Sequence, residues 1–121
     1  MAKVVVVDDA PEVVTLVRTM LQDAGHEIVD LPNEPDLEVR IAEERPAVLL
    51  LDVVMPERNG YQILRSLRRQ DATRRLPVVL ISSKKEESDI EWGKMQGAAD
   101  YLTKPFTAEQ LSEAVARQCE P

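Results

Sequence analysis

Three short apolar runs constrain this chain more than any other feature. VVVV at 4–7, AVLLL at 47–51 and PVVLI at 77–81 have no polar residue to turn toward water. A strand that is apolar on both sides must be covered on both, as in a parallel sheet with helices on its two faces. Weaker strand patterns lie at 28–31 and 100–103.

Amphipathic segments fill the intervals. Over 11–24, Val13, Val17, Met20 and Ala24 recur at helical spacing and Gly25 supplies the stop. The pattern over 59–69 puts Leu64 and Leu67 on one face, and a less periodic helix is predicted over 86–96, before Gly97. The segment 107–118 opens with Thr107 and Gln110 at capping-box spacing and aligns Leu111, Val115 and Cys119 on its inner face. A shorter helix is predicted over 35–44. Five strands alternating with five helices, joined by right-handed crossovers, give an α/β fold with a doubly wound five-stranded parallel sheet.

At 121 residues the chain reads as one domain over 1–121, and its 44% hydrophobic content is that of a globular protein. A net charge of −7 argues against a nucleic-acid partner. The single cysteine, Cys119, excludes an internal disulfide and a cysteine zinc site. The opening MAKVVVVDD is too short in its apolar part for a signal peptide or a membrane span, so a cytoplasmic protein with no membrane partner is expected.

In open sheets of this kind, ligands bind beyond the carboxyl ends of the strands. The first strand runs out into Asp8 and Asp9, the AVLLL strand into Asp52, the PVVLI strand into Ser82 and Ser83, and the last strand into Lys104 before Pro105. Three carboxylates brought together repel, and at least one is pushed toward its neutral form unless a cation intervenes. A hard divalent ion such as Mg²⁺, which takes oxygen ligands and keeps water, fits that need. With a hydroxyl and an ammonium alongside, the set suits phosphoryl transfer, with Asp52 as a candidate nucleophile.

VVVVDD, LLLDVVMPERNG, LISS and YLTKPF, in this order and spacing, resemble the CheY-like receiver domains of two-component response regulators over essentially the whole chain. The resemblance implies a flavodoxin-like (βα)5 sheet of order 2-1-3-4-5. It implies that Asp52 accepts a phosphoryl group from a sensor histidine kinase, for example a CheA-like one. Mg²⁺ would be held by Asp8, Asp9, Asp52 and the backbone carbonyl of Val54, Asp9 directly and Asp8 through water. Lys104 would pair with the acceptor and then with its phosphate, and the Lys104–Pro105 bond would be cis. Ser82 would turn its hydroxyl to the phosphoryl group on activation. Tyr101 matches an aromatic switch that reports to a downstream protein on the face of the fourth helix, last strand and last helix. The chain would be a monomer or a phosphorylation-dependent dimer.

More narrowly, SSKKEESDIEWGKMQGAADYLTKP resembles the PilH-like single-domain regulators of chemotaxis-like systems that control type IV pili. Trp92 in that stretch is a candidate partner anchor. Pro121 directly follows the last helix, so output by protein contact is expected, although a domain cut from a longer regulator fits as well.

Some positions depart from the family's common pattern. LPNEPDLEV at 31–39 replaces the usual entry to the second helix, which puts that helix start in doubt and leaves the pocket untouched. Val54 and Lys84 stand where the family tunes self-dephosphorylation. Other readings stay open at single residues. Asp9 before Pro11 can be a helix N-cap, and Ser83 has a structural role. Arg65, Arg68, Arg69, Arg74 and Arg75 form either a solvated face or a docking patch for an acidic partner. His26 is no ligand. Among whole functions, a phosphatase with an aspartyl intermediate lacks its second acid, since Val54 stands there. A pseudo-receiver scaffold would have lost an acid or the lysine. Flavin binding lacks a phosphate-cradling loop.

Overall fold

The apolar runs become β1 (Lys3–Val7), β2 (Glu27–Asp30), β3 (Val48–Asp52), β4 (Val78–Ser82) and β5 (Asp100–Thr103) in a computed structural model that describes residues 2–119. Between and after them run α1 (Pro11–Asp23), α2 (Leu37–Glu44), α3 (Gly60–Arg68), α4 (Glu87–Met95) and α5 (Ala108–Cys119). All strand pairs are parallel, in the order β2-β1-β3-β4-β5. Glu120 and Pro121 lie outside the described residues.

Alternation along the central strands divides the core in two. Val5, Val7, Leu49, Leu51, Val78 and Leu80 face Leu37 and Ile41 of α2 and Ile63, Leu64 and Leu67 of α3. Val4, Val6, Val48, Leu50, Val79 and Ile81 face Val17 and Leu21 of α1 and Leu111, Ala114 and Val115 of α5. Both faces of β1, β3 and β4 are thus dry, which is why these strands needed no polar alternation. Among the described residues no helix is long and apolar enough to cross a membrane.

Local signals place several helix ends. Asn59 caps α3 reciprocally, accepting from the Gln62 amide at 2.9 Å while its own amide donates to Gln62 Oε1 at 2.8 Å. Thr107 and Gln110 form the same box ahead of α5, at 2.9 and 3.1 Å. Three expectations shift. The α1 stripe is centred on Val17 and Leu21, with Ala24 exposed beyond the helix end. The second helix begins at Leu37 because 34–37 form a turn, in which the Leu37 amide donates to the Glu34 carbonyl at 3.0 Å. Cys119 is exposed rather than on the apolar face of α5. Leu111, Ala114 and Val115 are the α5 residues that enter the core, and Cys119 lies one helical turn beyond the last of them.

Candidate active site at the carboxyl edge of the sheet

Strand register assembles the site. Val7 of β1 lies beside Leu51 of β3, which sets Asp8 next to Asp52. Asp52 pairs with Ile81, and Ser82 with Thr103, which brings Ser82 and Lys104 to the same edge. Asp8, Asp9 and Asp52 each offer a carboxylate oxygen, and these oxygens all lie within 4.8 Å of one another. The Lys104 ammonium donates to Asp8 Oδ2 at 2.9 Å and to Asp52 Oδ1 at 3.4 Å. The Lys104–Pro105 peptide is cis.

Electrostatics match this crowding. Asp52 is only 4% exposed. Burial first, and then the charge of Asp8, push its carboxyl from 3.8 up to about 6, with Lys104 acting in the opposite sense. Burial acts to lower the Lys104 ammonium, but the hydrogen bond to Asp8 and the charges of Asp52 and Asp8 outweigh it and hold it above its ordinary value. The cluster is therefore short of positive charge. Its donors are all hard oxygens, and it fits a divalent cation of the Mg²⁺ type.

Asp9 does not cap α1. The N-cap position is Ala10 and has no side-chain cap, while the Ala10 amide donates instead to Asp8 Oδ1 at 2.9 Å. Asp9 is exposed at the mouth of the site. Val54, on the loop leaving β3, is also exposed. That loop returns tightly, with the Gly60 amide donating to the Val53 carbonyl at 2.8 Å. A methyl group on Gly60 would press into the Asp52 carbonyl oxygen and lie 2.9 Å from Val53 Cα, so glycine is required by close approach.

Ser82 and Tyr101 are joined through one residue. The Lys84 amide donates to Ser82 Oγ at 3.0 Å, and the Tyr101 hydroxyl donates to the Lys84 carbonyl at 2.7 Å. Tyr101 is buried in this arrangement, and Tyr61 of α3 lies close by. Burial, and then the neighbouring Tyr101, push the Tyr61 hydroxyl up to about 12. Gly93 of α4 makes room for the ring. A methyl there would stand 2.8 Å from Leu80 Cδ1 and 3.0 Å from Tyr101 Cδ2. Gly93→Ala is expected to lower stability by about 1–3 kcal/mol and displace the Tyr101 ring. Denaturant unfolding and the tyrosine ring shifts in NMR spectra check this, and an unshifted Tyr101 would refute it.

Trp92 and Met95 are exposed on the outer side of α4. Ser83 is exposed in the loop after β4. Two of the arginines of 65–75 have intramolecular partners. Arg68 bonds the Thr73 and Gly97 carbonyls at 3.2 and 2.9 Å, tying two turns together, and Arg74 is 3.7 Å from Asp71. His26 Nδ1 accepts from the Ala2 amide at 3.2 Å, far from the site in the fold.

Sequence reading passed over three residues. Asn33 borders a cavity of about 600 Å³ shared with Asp8, Asp9 and Glu57, so the unusual 31–39 segment reaches the pocket after all. Glu38 is buried in α2 and takes a forked pair of bonds from Arg58 at 2.6 and 2.9 Å and a third from Ser66 Oγ at 2.5 Å. The one local clue is a glutamate immediately after Leu37 at the inner start of a helix.

The family model for the response regulator receiver domain matches residues 4–116. Protein PilH of Pseudomonas aeruginosa is 39% identical over 115 residues, covering 95% of each chain. Protein PilG of the same organism is 32% identical over 113 residues, covering 93% of this chain and 84% of that one. The crystal structure of the Vibrio cholerae chemotaxis protein CheY4 superposes with a TM-score of 0.88 at 30% identity, covering 97% of this chain and 98% of that one.

Proposed function

Because this chain belongs to the response regulator receiver domain family, we propose that it is a phosphorylatable switch in which Asp52 takes a phosphoryl group from the phosphohistidine of a sensor kinase. The observation that carries this reading is the meeting of Asp8, Asp9 and Asp52 within 4.8 Å, with the Lys104 ammonium 3.4 Å from Asp52.

An Asp52 carboxylate oxygen attacks phosphorus, the nitrogen–phosphorus bond breaks, and the electron pair remains on the imidazole nitrogen, which takes up a proton. Asp8, Asp9, Asp52 and the Val54 carbonyl would hold Mg²⁺, which when bound supplies positive charge to the phosphoryl oxygens. Lys104, bonded to Asp8 and Asp52, gives a second positive charge at the same edge of the sheet. Its hydrogen bond to Asp52 leaves the carboxylate and goes to a phosphoryl oxygen as charge moves outward. Water then hydrolyses the acyl phosphate at the open side of the site, beside exposed Val54.

The switch follows from the hydrogen bonds around Lys84. When Ser82 Oγ turns to the phosphoryl group it gives up the Lys84 amide. The loop after β4 then shifts, and the Lys84 carbonyl no longer holds the Tyr101 hydroxyl in place. Phosphorylation biases an existing balance between two arrangements of loop and ring. The surface that changes is the α4–β5–α5 face with Trp92, which would bind the downstream protein. Similarity to PilH and PilG supports a place in a chemosensory-type system that controls type IV pili.

Intact mass after incubation with acetyl phosphate and Mg²⁺ tests the reading. One phosphoryl adduct is expected, absent with EDTA and in Asp52→Asn. If neither an adduct nor a spectroscopic response to beryllofluoride with Mg²⁺ is seen, the switch is wrong and a constitutive scaffold takes its place.

A further inference from the structure

The loop from β3 to α3 contains Glu57, a non-glycine residue with φ of 69°. This left-handed conformation is unfavourable for an L side chain and persists where neighbours enforce it. The carbonyls on both sides of Glu57 are held by one side chain. Asn33 Nδ2 donates to Pro56 O at 3.2 Å and to Arg58 O at 3.0 Å. The next residue is anchored as well. The Arg58 guanidinium forks onto Glu38 of α2 at 2.6 and 2.9 Å and reaches the Glu34 carbonyl at 3.4 Å. Glu38 Oε2 also accepts a hydrogen bond from Ser66 Oγ of α3. All of these partners come from the 31–39 segment and the two helices next to it.

We infer that Asn33 and the Arg58–Glu38 pair are positioning residues that hold the 53–59 loop where the Val54 carbonyl can serve the cation site. This rests on the proposed function. None of the three need touch the phosphoryl group. They act through the loop, by pinning its one strained turn a few residues from Val54. The segment in which the sequence departs from its family's common pattern is thereby the segment that fastens the site.

Two measurements on Asn33→Ala, compared with wild type, decide the matter. Amide hydrogen exchange in the 53–59 segment, read without metal, should speed up at least fivefold while exchange in β1 and β4 is unchanged. Mg²⁺ affinity from calorimetric titration should weaken about tenfold, the scale seen when an outer-sphere partner of a metal site is lost. Arg58→Ala should behave alike and Arg58→Lys should recover part of the loss. A side chain that only supported the fold would lower the melting temperature and leave the Mg²⁺ dissociation constant alone. Wild-type binding with an unchanged dissociation constant in Asn33→Ala would overturn this inference and leave the proposed function standing. Failure of wild type to bind Mg²⁺ would overturn both.

Discussion

Asp52→Asn should make the metal-free protein more stable at pH 8 than wild type, by about 2–3 kcal/mol, or roughly 10 °C in melting temperature. In the folded chain burial and Asp8 raise the Asp52 carboxyl from 3.8 to about 6, so the native state binds its proton more tightly than the unfolded state does. The contribution of that proton to stability is complete below pH 3.8 and is lost as pH rises through 6. Above that, wild type carries a buried charge that asparagine does not. The difference between variant and wild type should therefore be near zero at pH 3.5, grow between pH 4 and 6, and level off. Mg²⁺ should narrow the gap at pH 8, because a ligand of the native state stabilises wild type in proportion to the logarithm of its concentration. Denaturant titrations across pH, with and without Mg²⁺, provide the check. Equal stabilities at pH 8 would mean that Asp52 is not strained by its neighbours.

Arg58→Ala should have a comparable effect of opposite sign, a loss of about 2–3 kcal/mol at pH 7. The Arg58 bonds first, with that of Ser66 assisting, hold the Glu38 carboxyl down from 4.5 to about 2 in spite of burial. The stabilisation is present above pH 4.5 and is lost as pH falls toward 2. The cost of the mutation should thus shrink to about half by pH 3. Arg58 is itself 30% exposed on its side chain, and solvent screening keeps the figure at the low end of what the shift alone would give. A cost that stays constant from pH 7 to pH 3 would assign Arg58 to packing rather than charge. The two titrations have opposite slopes, so their combined contribution to the stability of metal-free wild type should peak between about pH 4 and 5.

The dry central strands and the acids at their ends were legible because both are local. Four valines followed by two aspartates state a covered strand and its exit. Parallel pairing puts all exits on one edge. Less of the helix detail could be read. The stripe through Val13, Val17, Met20 and Ala24 and the inner placement of Cys119 followed helical spacing alone. Where a helix face meets its sheet depends on where the sheet ends. The capping signals at Asn59 and Thr107 worked because a cap is settled within four residues.

The fastening of the site belongs to a different class. Asn33 meets the 56–58 carbonyls across 23 and 25 residues, and Glu38 meets Arg58 across 20 and Ser66 across 28. Beyond the placing of Glu38 next to Leu37, LPNEPDLEV does not announce those bonds, since each partner is an ordinary polar residue until α2 and α3 are packed side by side. The amino-acid order alone determined the alternation of strands and helices, the burial of the sheet and the charges gathered at its edge, because periodicity and strand termination act over a few residues. The tertiary structure alone decided which carboxylate pairs with Lys104, why Gly93 must be bare beneath Tyr101, and what holds the loop beyond Asp52. Each of these depends on the distance between atoms that only the packing of separate elements brings together.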